Sequence, residues 1–189
     1  MNRRLHNAIL VGISFLITAL VGCSSTFPHR PCPAAIEKVE KLGGTVEIDG
    51  QNSESPVLTV LLAEAKVTDA ELEFLKDLNG LEMLDLRGTK INGQGLIHLK
   101  HMSSLKRLRL HHCPITDAGA EQIKELSSLI ELDVGHSLIT DTGLVYIGEM
   151  KGLQDLCLTD TGITDAGLRN LRQLQELLRL YINDTNISD

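Results

Sequence analysis

The stretch Leu129-Ile130-Glu131-Leu132-Asp133-Val134-Gly135-His136-Ser137-Leu138-Ile139-Thr140-Asp141-Thr142-Gly143-Leu144 decides the fold. Leu129, Leu132 and Val134 stand at the spacing LxxLxL, and Ile139 opens Ile-Thr-Asp-x-Gly-Leu. Moving 24 residues either way finds the same residue types again. Leu81, Leu105, Leu129, Leu153 and Leu177 form one column; Leu84, Leu108, Leu132, Leu156 and Leu180 form a second. Leu86, Leu110, Val134, Leu158 and Ile182 form a third, and Ile91, Ile115, Ile139, Ile163 and Ile187 a fourth. One further step back places Val57, Val60, Leu62 and Val67 in the same columns. A fixed period of this size is the mark of a solenoid.

Each column has a physical reason. In LxxLxL the second and third apolar residues are two apart, so they share one face of a short strand. A Thr or Asp after the Ile suits a helix start. Leu168, Leu171 and Leu174 then stand at helical spacing and face the same interior. One strand and one helix cannot close a core alone, whereas stacked neighbours share one.

The unit resembles the bacterial leucine-rich repeat, and its ITDxGL segment is similar to the cysteine-containing type. Ile115-Thr116-Asp117-Ala118-Gly119, Ile139 to Leu144 and Ile163-Thr164-Asp165-Ala166-Gly167-Leu168 carry the likeness. Two units depart from it, with Ile91-Asn92-Gly93 in one and Glu71 in place of Gly in another. The resemblance implies an α/β fold: a right-handed superhelix with a parallel concave sheet and convex helices. It spans residues 57–189, as five full repeats and a partial sixth, and implies binding without naming a ligand.

Residues 34–56 do not repeat. Ala34 to Leu42 reads as a helix with Ile36, Val39 and Leu42 on one stripe, ended by Gly43-Gly44. Thr45 to Asp49 reads as a strand and Gly50 to Pro56 as a turn. Together they make an N-terminal helix-strand cap that hides the first apolar edge. At the other end the expected cover of the last sheet edge is polar: Asn183, Asp184 and Asn186.

The first 22 residues differ from the rest. Arg3 and Arg4 precede a mostly apolar run from Ala8 to Gly22, short for a membrane-spanning helix. Leu20-Val21-Gly22-Cys23 resembles the lipobox of bacterial lipoproteins. The resemblance implies a lipoprotein signal peptide (1–22), lipidation of Cys23, and a tether (23–33). Ser24 after the Cys points, by the same likeness, to the outer membrane. Two or more acyl chains hold a protein stably on a bilayer.

Composition excludes some functions. The chain carries a net charge of −7, with no Trp, two Tyr and three Phe. An acidic chain without a basic stripe does not suit nucleic acid, whose affinity comes largely from phosphate neutralisation. Phosphate loops, serine elbows and paired-Cys metal motifs do not occur, so no enzyme activity and no cofactor are expected. Apart from Cys23 there are three cysteines, Cys32, Cys113 and Cys157; an odd number leaves one unpaired in an oxidising compartment.

Strand alternation lists the concave face. One column is Thr59, Met83, Arg107, Glu131, Asp155 and Arg179; the next is Leu61, Asp85, Arg109, Asp133, Cys157 and Tyr181. The third is Ala63, Arg87, His111, Gly135, Thr159 and Asn183. Opposite charges in register (Asp85–Arg109–Asp133, Arg107–Glu131, Asp155–Arg179) are expected to pair. Arg87, Arg107, Arg109, His111, Asp133, Asp155 and Tyr181 are the candidates for partner binding, since Arg and Tyr are frequent anchors. Just past the strands, His112, His136 and Asp160 share a column beside His111. Two imidazoles and a carboxylate on successive turns are candidate ligands for a Zn²⁺ ion, but they match no known metal motif, and the expectation there is a solvated polar rim with no metal. The column Thr89, Cys113, Ser137, Thr161 and Thr185 is expected to satisfy backbone amides. The reading that follows is an envelope-anchored module binding a protein or peptide. The alternative is a structural lipoprotein self-associating through the C-terminal edge.

Overall fold

A computed structural model describes residues 32–49 and 57–188. The signal segment, Cys23, nearly all of the tether and the turn Gly50 to Pro56 lie outside the described residues. Helix α1 (Pro33–Lys41) is followed by strands β1 (Thr45–Asp49) and β2 (Val57–Leu61), then β3 (Leu81–Asp85) and β4 (Arg107–Arg109). Strands β5 (Glu131–Asp133), β6 (Asp155–Cys157) and β7 (Arg179–Tyr181) complete one seven-stranded sheet in chain order. β1 runs antiparallel to β2, and every later neighbour is parallel.

The register is the 24-residue period made physical. Leu84 pairs with Leu108, Leu108 with Leu132, Leu132 with Leu156 and Leu156 with Leu180. Those side chains through Leu156 are buried in a single core with the Leu105, Leu110, Ile115, Ile139, Leu158 and Ile163 columns. The first unit slips. A bulge between Leu58 and Thr59 sets Leu58, not Val57, opposite Leu81, and Leu58 is fully buried. Plain subtraction of 24 therefore misses by one residue, as a bulge requires. α1 buries Ala35, Ile36 and Val39 against the first units.

The return segments are shorter and tighter than the apolar spacing suggests. Asp117–Ile123 and Asp141–Ile147 are α-helices, and Asp165–Leu168 is one turn of α-helix followed by a 3-10 helix, Arg169–Gln173. Asp69–Asp77 and Gln94–Leu99 are 3-10 throughout. The three α-helical starts share a Thr whose hydroxyl accepts an amide from its own first turn: Thr116, Thr140 and Thr164. In the first unit Glu71 takes the Thr68 hydroxyl, and in the second Gly93 offers no side chain. A three-residue apolar spacing fits either helix type.

The Asp of the repeat works across units, not only within its own helix. Asp117 accepts hydrogen bonds from Thr140 N (2.8 Å), Thr140 Oγ1 (2.7 Å) and Gly143 N (2.9 Å). Asp141 does the same for Thr164 N and Oγ1, both at 2.7 Å. Asp69 reaches Asn92 N, Gly93 N and Gly95 N at 2.9, 3.1 and 2.7 Å. Each carboxylate thus closes the amide-rich start of the next unit's helix. Gly is needed opposite it: a Cβ on Gly143 would lie 2.6 Å from Asp117 Oδ1. Where the Asp is missing, at Gly93, Thr116 N donates instead to the Asn92 carbonyl.

Two expectations are corrected here. The small polar column serves carbonyls rather than amides: Thr89, Thr161 and Thr185 donate to Leu86, Leu158 and Ile182 oxygens. Cys113 Sγ also donates to Leu86 O at 3.0 Å, and burial pushes its thiol up. Ser137 Oγ is buried with no partner among the described residues. The β7 edge is also less polar than expected, since Leu178 is 75% and Tyr181 49% exposed.

Candidate functional site

The outward face of the sheet carries the alternate strand positions, and it splits into a buried end and an open end. Met83 and Asp85 on β3 are buried. Arg107 on β4 is exposed, Arg109, Glu131, Asp133, Asp155 and Cys157 are half-buried, and Arg179 and Tyr181 are exposed.

The charge pairs differ from simple register. Asp85 is bound by its own strand's continuation: Arg87 Nε donates at 2.9 and 3.0 Å and Arg87 Nη2 at 2.6 Å. Burial works to raise the Asp85 carboxyl, but the Arg87 bonds outweigh it and hold the carboxyl below its ordinary value. Arg109 turns to Glu131, with Nε and Nη2 both 3.2 Å from Oε1, so Glu131 is taken from Arg107. Asp133 is claimed by His111 Nδ1 at 3.2 Å. Diagonal partners win because long side chains reach a neighbour's next position as easily as its facing one. Only Arg179–Asp155 forms as register predicts, and it lowers the Asp155 carboxyl. Arg107 forms no ion pair among the described residues.

Beyond the strands the chain turns through a left-handed residue in every unit. Glu64 (φ 58°), Gly88 (69°), His112 (59°), His136 (53°), Asp160 (51°) and Asp184 (57°) are 24 apart. Backbone bonds tie these turns together: His112 N donates to Gly135 O (3.0 Å), His136 N to Thr159 O (2.7 Å) and Asp160 N to Asn183 O (2.9 Å). Strand spacing of about 4.8 Å then stacks successive side chains. The His112 and His136 rings are stacked, with centroids 4.1 Å apart. His111 packs edge-on to both, at 4.5 and 4.7 Å. His136 Nδ1 lies 2.7 Å from Asp160 Oδ2. The structure therefore joins His112, His136 and Asp160, as their column predicts, and adds His111.

Gly135 makes the cluster possible. It lies between His111 and Thr159 in the third column, and a Cβ there would sit 2.6 Å from His111 Nδ1. Its absence lets the His111 ring lean across to Asp133. A second grouping shares His111: the polar atoms of His111, Asp133 and Cys157 lie within 4.8 Å of one another. The three groups meet, but burial and the neighbouring Asp133 push the Cys157 thiol up. That is the reverse of what a nucleophilic cysteine needs.

The class of protein is now defined. A single-file parallel sheet with one short helix per 24-residue turn is a leucine-rich-repeat solenoid, and that is the fold of this chain. Residues 101–124 and 125–148 each match the family model described as Leucine Rich repeat. No curated protein matches the sequence. Among solved structures, an internalin from Listeria monocytogenes is 22% identical with a TM-score of 0.56, covering 66% of this chain and 34% of its own. Internalin C2 from the same bacterium is 22% identical with a TM-score of 0.51, covering 86% of this chain and 77% of its own. The leucine-rich-repeat ectodomain of an Arabidopsis thaliana membrane receptor kinase, solved in complex with Casparian strip integrity factor 2, is 19% identical. Its TM-score is 0.54, over 75% of this chain and 17% of its own. The chain thus spans about a third of the first internalin's length, and these likenesses speak to the fold.

Proposed function

We propose that the protein is a binding module held at the bacterial cell envelope by a lipid on Cys23, and that it captures a protein or peptide on the outward face of its sheet. The observation that carries this reading is Arg107: an exposed guanidinium, unpaired among the described residues, at the centre of a rigid sheet. An unpaired exposed Arg beside the part-neutralised Arg109 offers planar donors to an incoming carboxylate or carbonyl. Asp133 and Asp155 supply acceptors nearby, and the exposed Tyr181 supplies an aromatic anchor at the β7 end. The receptor-kinase ectodomain, of the same fold, was solved with a bound partner, which supports the reading by analogy. The amino-terminal lipobox resemblance supports the anchor and, through Ser24, an outer-membrane address.

Crosslinking in intact envelopes, read by mass spectrometry, tests the binding claim. A partner that disappears when Arg107 and Arg109 are both changed to Ala supports it; identical crosslinks in the double variant refute it. Loss of palmitate labelling in Cys23→Ser tests the anchor separately. Self-association through β7 is favoured by one observation, the exposed Leu178 and Tyr181. A monomer mass independent of concentration rules it out.

A further inference from the structure

The His cluster lies past the sheet's edge and is not needed by the binding reading. Three imidazoles crowd together at His111, His112 and His136, with one ligand atom from each lying within 4.8 Å of the others. Two of them are oriented by carboxylates: His111 Nδ1 by Asp133 Oδ1 at 3.2 Å, and His136 Nδ1 by Asp160 Oδ2 at 2.7 Å. A carboxylate accepts, so each Nδ1 is the donor, and in the neutral imidazole, the form a metal binds, Nε2 carries the lone pair. This carboxylate–imidazole arrangement is the one that metal-ligating histidines use. We propose that His111, His112 and His136 bind a Zn²⁺ ion, with solvent in the fourth position.

The geometry is close to what the ion needs. Tetrahedral ligands at about 2.0–2.1 Å lie roughly 3.3 Å from each other. One nitrogen of each ring already lies within 4.8 Å of the others, and small ring rotations are what closing the site requires. His112 is exposed, so its ring turns without displacing core residues. The backbone does the rest: two left-handed turns, bonded into the same ladder, aim His112 and His136 to one side. Asp160 is thereby assigned as the group that orients His136 rather than as a ligand.

The competing grouping of His111, Asp133 and Cys157 is less suited. Its His111 Nδ1 is already engaged by Asp133, and its sulfur is a buried thiol that must first lose a proton. The shared His111 means that only one of the two sites fills at a time.

Calorimetric titration of the full-length chain with ZnCl₂ tests the proposal. One ion per chain is expected. His112→Asn and His136→Asn are the variants of choice, because Asn tolerates a left-handed backbone and so the fold is kept, as circular dichroism checks. Each should abolish saturable binding. Asp160→Asn should weaken it about 10–100-fold without abolishing it. Cys157→Ser should leave it unchanged, and Co²⁺ substituted for Zn²⁺ should give a spectrum without a thiolate charge-transfer band. No saturable heat from the native chain overturns the proposal, as does unchanged affinity in both Asn variants. Loss of binding only in Cys157→Ser transfers the ion to the other grouping and equally overturns it.

Discussion

Replacing Asp117 by Ala removes one strut of the ladder that links successive units, and the loss can be worked from its partners. Asp117 accepts from Gly143 N, which is buried, and from Thr140 N and Oγ1, which are exposed. The exposed donors regain water and together cost about 0.5 kcal/mol. The Gly143 amide has no such replacement, and leaving a buried donor unpaired costs about 1–3 kcal/mol. Loss of a negative charge at the start of Asp117–Ile123 adds a few tenths. The sum is about 2–4 kcal/mol, or roughly 4–15 °C in melting temperature for a chain of this size. Urea unfolding followed by circular dichroism measures it. A double-mutant cycle sharpens the test. Gly143→Ala alone forces a Cβ within 2.6 Å of Asp117 Oδ1, whereas in the Asp117→Ala background that oxygen is gone. The two substitutions should therefore be coupled by about 1 kcal/mol or more, the double variant being more stable than additivity allows. A single-variant loss below about 0.5 kcal/mol, or strict additivity, would refute the cross-unit role given to this Asp.

Arg87→Ala strips the buried Asp85 of its cation; because Arg87 is half-exposed, the expected loss is discounted to about 2 kcal/mol at neutral pH. Since the folded Asp85 carboxyl lies below its ordinary value, its contribution is complete above the unfolded value of about 3.9. It is lost as pH falls through the folded value, so the gap between native chain and Asp85→Asn should narrow on acidification below about pH 4; a gap that widens on acidification contradicts the assignment. Ser137→Ala removes a buried hydroxyl without a partner among the described residues and should be neutral or stabilising by up to about 1 kcal/mol, whereas Thr161→Ala, losing its 2.6 Å bond to Leu158 O, should destabilise by about 1; equal losses at the two positions, or a larger loss at Ser137, in chemical denaturation would sink that contrast. Gly135→Ala should displace the flexible His111 ring and weaken Zn²⁺ binding at least several-fold while the melting temperature changes little; unchanged affinity would mean that His111 is not a ligand.

The core was legible because apolar residues at a fixed period have one economical arrangement. Leu84, Leu108, Leu132 and Leu156 need only the period and the strand's alternation to be placed. What escaped was whatever depends on backbone detail rather than on residue class. The bulge at Leu58 shifts a column by one residue, and Val57 and Leu58 are both apolar, so composition does not separate them. The 3-10 segments escaped because spacing of three serves both helix types. The cross-unit Asp was half-visible: Thr-Asp-x-Gly signals a helix start, but not that the carboxylate belongs to the start of the following helix.

The site divides in the same way. Membership of the outward face follows from parity, and Arg107, Arg109, Asp155 and Tyr181 stand where alternation puts them. Pairing does not follow, because Arg109 chooses between Asp85, Glu131 and Asp133 by side-chain reach and not by register. The bend after each strand held a usable signal. Gly88 shares a column with His112, His136, Asp160 and Asp184, and a Gly among residues of a turn column marks a left-handed position. Asp and His are among the side chains that tolerate that conformation best, and Glu64 adopts it in the first unit. Two consecutive units place His there, beside the Gly135 that clears room for a third imidazole. A bare solvated rim gives no reason for that coincidence; a ligand shared by the three rings does.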